Sequence, residues 1–266
     1  MRILAAVALL GVIGCSQTTA ADTGHHITVG GVRRTWSEYR PPHLPAGPVP
    51  VVVMFHGLNA IPGDMLNPIG MAAEADRDGF VVALPQGLNR AWNAGSCCGN
   101  STSDDITFVL QMVSSMVARK VADPTRVYAA GFSNGAMLAY RVACQLSTAF
   151  AGVAVVEGTM TAPCPNHPPI NLLVVHQLGD KIVPYSGTSS PIPSLGVTAP
   201  LVSVPDSIIK FEKSEGCLTP NLVSGLPKAV VDCPGGVRVE LDAIPGGSHV
   251  WPADATPELV SFFGLH

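Results

Sequence analysis

Charge is scarce in this 266-residue sequence: Asp, Glu, Lys and Arg make up only 13% of it, roughly half the usual share of about 25%. The formal net charge is −4 and no basic run occurs, so the electrostatic footprint of a nucleic-acid binder is missing. There is no Cys-x-x-Cys or His-x-x-x-His spacing, which removes the usual signature of a zinc site. No apolar stretch is long enough to cross a bilayer as a helix, and no internal repeat is visible. Apolar side chains, by contrast, reach 47%, enough for a sizeable core in one large α/β domain.

The N-terminus reads as an export signal. Arg2 supplies a short basic start, and Ile3 to Ile13 is apolar apart from Gly11. Val12-Ile13-Gly14-Cys15 resembles a bacterial lipobox, in which cleavage precedes a cysteine that is then lipidated. The alternative is an ordinary signal peptide cut near Thr19-Ala20-Ala21. On the lipobox reading, residues 1–14 are the signal peptide, 15–26 a lipidated tether, and 27–266 a single catalytic domain. Acyl chains on Cys15 would hold the protein to a membrane face without a spanning helix, outside the cell or released from it.

Six further cysteines remain, and an even number in an exported chain favours disulfides over metal. Nearest neighbours in sequence suggest Cys144–Cys164 and Cys217–Cys233, leaving the adjacent Cys97 and Cys98 to pair with each other. Past the tether, continuous apolar runs of strand length alternate with helical patterns. The strand candidates are 49–55, 80–84, 126–130, 152–156, 170–175 and 237–244. Unbroken apolar strands are what a parallel sheet buried on both faces requires. Ile106, Val109, Leu110, Val113, Met116 and Val117 recur at helical spacing behind Ser103 and Asp104, which can cap the helix. Stretches 134–144, 206–215 and 256–263 fit three more helices. The alternation predicts an open, mostly parallel, doubly wound sheet flanked by helices. Residues 186–205, rich in Ser, Pro and Gly, read as an excursion over the top of the sheet.

The most informative stretch is Gly131-Phe132-Ser133-Asn134-Gly135, between the strand pattern ending at Ala130 and a helical one. Strand, Gly-x-Ser-x-Gly and helix together form the nucleophile elbow of an α/β-hydrolase, which lifts a serine hydroxyl to the N-terminus of the following helix. Such a hydroxyl needs a base, and in this fold the partners follow in the order Ser, acid, His. His249, in the glycine-rich loop after the last strand, fits the base. His266 is terminal, and His176 precedes the candidate acid and reads as structural. His56 reads as a loop-fixing residue. Asp180 follows the strand ending at Val175 and is the candidate acid. Asp206 reads as a helix cap, and Asp232 and Asp242 lie beyond the usual acid loop. For an oxyanion hole, the backbone N–H groups of Asn134 and Leu58 are the candidates.

Several segments, taken together, resemble the polyhydroxybutyrate depolymerase and feruloyl/acetylxylan esterase family. They are Phe55-His56-Gly57, Trp92-Asn93-Ala94-Gly95-Ser96-Cys97-Cys98-Gly99, Asp104-Asp105, Arg126-Val127-Tyr128, Gly131 to Gly135, Val183-Pro184-Tyr185 and Gly247-Ser248-His249-Val250-Trp251-Pro252. The resemblance implies an exported serine esterase whose triad falls on Ser133, Asp180 and His249, with no metal or organic cofactor. Two departures stand out: Gln177 where the family commonly has Gly, and Gly135-Ala136 where it commonly has Gly-Gly. Trp92 and Trp251 are expected to flank the site, either stacking on a phenolic or sugar group or packing to seal the loop, and Asp105 to bond neighbouring loop amides. The expected partner is an ester: polyester, feruloylated or acetylated polysaccharide, or short-chain ester. A cell-envelope acyltransferase and a catalytically dead surface-binding module on the same scaffold are the alternatives.

Overall fold

The structure, a computed structural model, describes residues 24–98, 102–217 and 227–266. The signal peptide and the lipidated Cys15 lie outside the described residues. Nine strands form one sheet in the order β1-β2-β4-β3-β5-β6-β7-β9-β8. They are β1 His25–Val29, β2 Val32–Tyr39, β3 Val49–Phe55, β4 Val81–Pro85, β5 Ala122–Phe132, β6 Gly152–Val156, β7 Asn171–Gln177, β8 Lys228–Asp232 and β9 Arg238–Ile244. The six strands from β4 to β9 through the middle of the sheet pair in parallel, and the antiparallel pairings of β1, β2 and β8 stand at its two ends.

The parallel strands are apolar on both faces because helices cover both. On one face Phe108 of α2 (Asp105–Ala118), Leu138 of α3 (Asn134–Gln145) and Phe211 of α4 (Val204–Ser214) pack on Val51, Val53, Ala129 and Val153. On the other, Met71 of α1 (Met71–Asp78) and Leu259 of α5 (Ala255–Phe262) pack on Val52, Met54, Ala154 and Leu173. Alternate residues of one strand therefore feed two separate cores, which is why the sequence shows unbroken runs rather than period-two patterns. Asp104 caps α2 by accepting from the Thr107 amide at 3.0 Å.

The structure differs from the sequence reading at the ends of the sheet and in two helices. The tether cannot run to residue 26, because His25 and His26 already pair with Trp36 and Thr35 in β1. Neither β1, β2 nor β8 shows a continuous apolar run: each has exposed residues between covered ones, so none resembles the buried strands. Helix α4 begins at Val204, two residues before the expected start. Its cap is Ser203, whose hydroxyl accepts from the Asp206 amide at 3.0 Å, so Asp206 belongs to the first turn rather than the cap itself. Short α1 was not anticipated.

Disulfides join Cys97 to Cys98, Cys144 to Cys164 and Cys217 to Cys233, the three expected pairs. The second ties the end of α3 to the loop before β7. Among the described residues no helix is long and apolar enough to cross a membrane.

Candidate active site

The strand–turn–helix at Ser133 follows from what its neighbours cannot carry. Ser133 has φ 56° and ψ −119°, a strained backbone held by its amide donating to Val156 O at 3.0 Å and by the first bond of α3. A Cβ on Gly131 would lie 2.3 Å from Gly135 O, and one on Gly135 would lie 2.2 Å from Phe55 O. Glycine at both positions lets β5, β3 and the start of α3 close to contact distance, and this close approach aims the Ser133 hydroxyl along the sheet's carboxyl rim.

Two other loops reach the same rim. His249 follows β9, and its Nε2 lies 2.8 Å from Ser133 Oγ. Asp180 follows β7, and its Oδ2 lies 2.7 Å from His249 Nδ1. The other carboxylate oxygen of Asp180 accepts from the amides of Ile182 at 2.7 Å and Val183 at 3.0 Å. Burial works to raise the Asp180 carboxyl, but hydrogen bonds from His249, Glu157 and the Val183 amide outweigh it and hold the group down at about 2. Phe132 packs on the imidazole with ring centroids 5.0 Å apart. A hydroxyl, an imidazole and an ionised carboxylate thus form a continuous hydrogen-bonded chain.

The sequence profile of the family described as Esterase PHB depolymerase matches residues 35–186, more than half of the chain. The chain belongs to the esterase PHB depolymerase family. As a member of this family it is a carboxylic ester hydrolase. NocK of Nocardia uniformis subsp. tsuyamanensis, a protein named as an esterase, is 28% identical over 90% of this chain and 76% of its own length. Feruloyl esterase B of Piromyces equi is 27% identical over 75% of this chain, which spans 39% of that relative's length. Among solved structures, the acetyl xylan esterase from Aspergillus awamori superposes with a TM-score of 0.66 at 13% identity, covering 92% of this chain and all of the other. That likeness shows the α/β-hydrolase fold.

Within this esterase PHB depolymerase member, an apolar cavity of about 180 Å³ opens beside Ser133 and His249. Cys97 and Cys98 form part of its wall, together with Met137, Val183, Leu195 and Val197. The loop spanning 186–205 therefore does cover the site, tied down where the Thr198 amide donates to Ser96 O at 2.8 Å. Leu58 and Asn59 also border a second groove of about 600 Å³, which Asn89, Ser103 and Asp104 line with polar groups.

Neither tryptophan ring lines the cavity, and the stacking expected of Trp92 needs correction. Trp92 is fully buried, edge-on to Phe55, with its indole N–H donating to His56 O at 2.8 Å. No substrate can stack on it. Trp251 is partly buried, donates to Thr256 Oγ1 at 2.9 Å and packs against Phe132 with ring centroids 6.2 Å apart. Apolar packing claims the Trp92 ring because the loop it closes needs a filled interior. Asn134 has a role beyond its amide: its side chain accepts from the Trp92 amide at 2.8 Å and donates to Trp92 O at 3.1 Å.

His56 is buried and accepts from the Gly87 amide at 3.0 Å, and burial lowers its pKa. It fixes two loops together, as expected. Asp105 accepts from the Asn93 amide at 2.7 Å, the expected kind of contact, and also from Arg34 at 2.6 Å. The Arg34 partner was not legible, because 71 residues separate the two.

Gln177 clamps the histidine loop. Its side-chain amide donates to Ser248 O at 2.5 Å and Val250 O at 2.9 Å, one residue to either side of His249. A glycine here could make neither bond. Each is worth about 1 kcal/mol net, so Gln177→Ala is expected to lower kcat/KM for p-nitrophenyl acetate roughly tenfold or somewhat more. Unchanged kcat/KM would mean that the loop is held by its backbone alone. The further group that sequence reading missed is Glu157, directly after β6 and fully buried beneath Asp180. Its one sequence signal is an acid ending an otherwise apolar run, Gly152 to Val156.

Proposed function

We propose that this protein is an exported serine esterase working through Ser133, His249 and Asp180 and a covalent acyl-enzyme, with the short apolar cavity receiving the acyl group. The observation that carries the reading is the unbroken chain Ser133 Oγ to His249 Nε2 at 2.8 Å and His249 Nδ1 to Asp180 Oδ2 at 2.7 Å. His249 takes the hydroxyl proton as Ser133 attacks the ester carbonyl. The oxyanion rests on the backbone N–H groups of Asn134 and Leu58, the first of which has no partner within its own helix. The tetrahedral centre collapses, the ester C–O bond breaks, and His249 returns the proton to the departing alcohol. A water then gives its proton to His249 and attacks the acyl carbonyl; the acyl C–Oγ bond breaks, His249 passes the proton to Ser133 Oγ, and the acid leaves.

The reading takes the chain from His25 onward as one catalytic domain, carried outside the cell by its first residues and held there through Cys15. Three disulfides suit an oxidising compartment. The acyl part of the substrate is short and apolar, because the cavity beside Ser133 is small and has no Asp, Glu, Lys or Arg in its wall. The alcohol part faces the polar groove around Asn59 and Asn89, which suits a sugar hydroxyl.

A panel of p-nitrophenyl esters tests this. Acetyl, propionyl and butyryl esters are expected to exceed the octanoyl ester in kcat/KM by about tenfold or more, since a methylene without a pocket forfeits its binding energy. Equal rates along the series would reject the cavity as the acyl site.

A further inference from the structure

Beneath the proposed triad lies a second carboxyl group that the hydrolytic cycle does not use. Glu157 follows β6 in the left-handed backbone region, with φ 53°, and is fully buried. Its amide donates to Val175 O at 3.0 Å, which fixes the turn, and the turn directs the side chain under the acid loop. One carboxyl oxygen accepts from the Gln177 amide at 2.8 Å. The other is buried without a hydrogen-bond partner, with His176 Nε2 at 3.4 Å. The ligand atoms of Glu157, Asp180 and His249 all lie within 4.8 Å of one another.

Two carboxylates in such a place cannot both be ionised without a cation between them. His176 does not supply one. Burial drives its pKa down to about 4, and its Nε2 is already directed at Val183 O at 2.9 Å. The other titratable groups facing Glu157 are Asp180 and, across it, His249. One of the two acids must therefore hold a proton. Asp180 receives two amide N–H groups and the imidazole, while Glu157 receives one amide. The charge belongs on Asp180.

We infer that Glu157 is a positioning residue kept as the neutral acid, donating a hydrogen bond from its carboxyl O–H to Asp180 and so holding that carboxylate ionised and oriented toward His249. Burial first, and the hydrogen bond to Asp180 second, push Glu157 up to about 9, in keeping with this arrangement. The inference rests on the triad reading, and its test separates the two.

A neutral glutamine reproduces the proposed geometry: its carbonyl accepts from the Gln177 amide and its NH₂ donates to Asp180. Glu157→Ala removes both contacts and is expected to lower kcat for p-nitrophenyl acetate at least tenfold with KM within about twofold. Glu157→Gln is expected to restore kcat to within about threefold of the wild type. The acid limb of its kcat/KM profile should move by less than about 0.3 pH unit, because no charge near His249 has changed. A carboxylate at that distance would shift the limb by about one unit or more when removed. Should the alanine variant fail to fold, the glutamine comparison decides alone.

Stability gives a readout that does not depend on activity. Glu157 has its folded value raised above its ordinary 4.5, so unfolding at pH between the two releases a proton. That contribution to stability is full below about 4.5 and is lost as pH rises toward about 9. From pH 6 to 8.5 the unfolding constant of the wild type should therefore rise relative to that of Glu157→Gln, by up to about tenfold per pH unit. Parallel pH dependences, a shifted acid limb in the glutamine variant, or wild-type kcat in a folded alanine variant would each overturn the inference. If Ser133→Ala still turns over ester, the triad reading fails instead, and the stability comparison still reports on the shared proton.

Discussion

Ser133→Ala is expected to abolish hydrolysis of p-nitrophenyl esters, with kcat reduced on the order of 10⁶-fold, while the protein remains folded. The size of the effect follows from the chemistry. As the base, His249 Nε2 takes its proton from the Ser133 hydroxyl 2.8 Å away, and without that hydroxyl no covalent intermediate forms. What survives is the binding and oxyanion stabilisation of a water attack, worth a few orders of magnitude over solution. The fold should tolerate the change because alanine meets the same left-handed strain at φ 56° as serine, and the amide bond to Val156 O is untouched. The measurement is steady-state turnover beside a thermal melt and stoichiometric labelling by a fluorophosphonate. Near-wild-type turnover in a folded, unlabelled variant would reject Ser133 as the nucleophile.

Asp180→Asn should be the next most damaging substitution, lowering kcat by about 10³- to 10⁴-fold with little change in KM. Its carboxylate now accepts from two amides through Oδ1 and from His249 through Oδ2. An asparagine would keep its carbonyl on the amides of Ile182 and Val183 and turn its NH₂ toward the imidazole. His249 would then have to accept at Nδ1 and carry its proton at Nε2, facing Ser133 with a donor where a base is needed. A rate within tenfold of the wild type would show that Asp180 does not set the tautomer. The same carboxyl, held at about 2 against an ordinary 3.8, contributes stability that is fully present above about pH 4 and is lost as pH falls toward 2. Loss of activity between pH 4 and 6 therefore has to come from a group other than Asp180.

Much of this site was legible because its chemistry is local. Gly131-Phe132-Ser133-Asn134-Gly135 carries its own geometry: the glycines that would clash as any other residue are two positions either side of the serine. The order of Ser, acid and base left few candidates among eight histidines. The apolar strand cores were legible for the same reason, since burial on both faces writes an unbroken run into the chain. Strands β1, β2 and β8 were not, because a strand at the end of a sheet mixes covered and exposed residues and resembles loop.

The sequence by itself determined the Ser133 turn and the parallel core, which are set by steric and burial rules acting over a few residues, and the chain order of the three candidate catalytic side chains. Only the tertiary structure decided what those side chains touch. Trp92 faces His56 rather than a substrate, Gln177 clasps the loop carrying His249, and Glu157 lies under Asp180. Each of these depends on two segments tens of residues apart meeting at one rim of the sheet, and a hydrogen bond made at that distance leaves no periodicity in the chain for a reader to find.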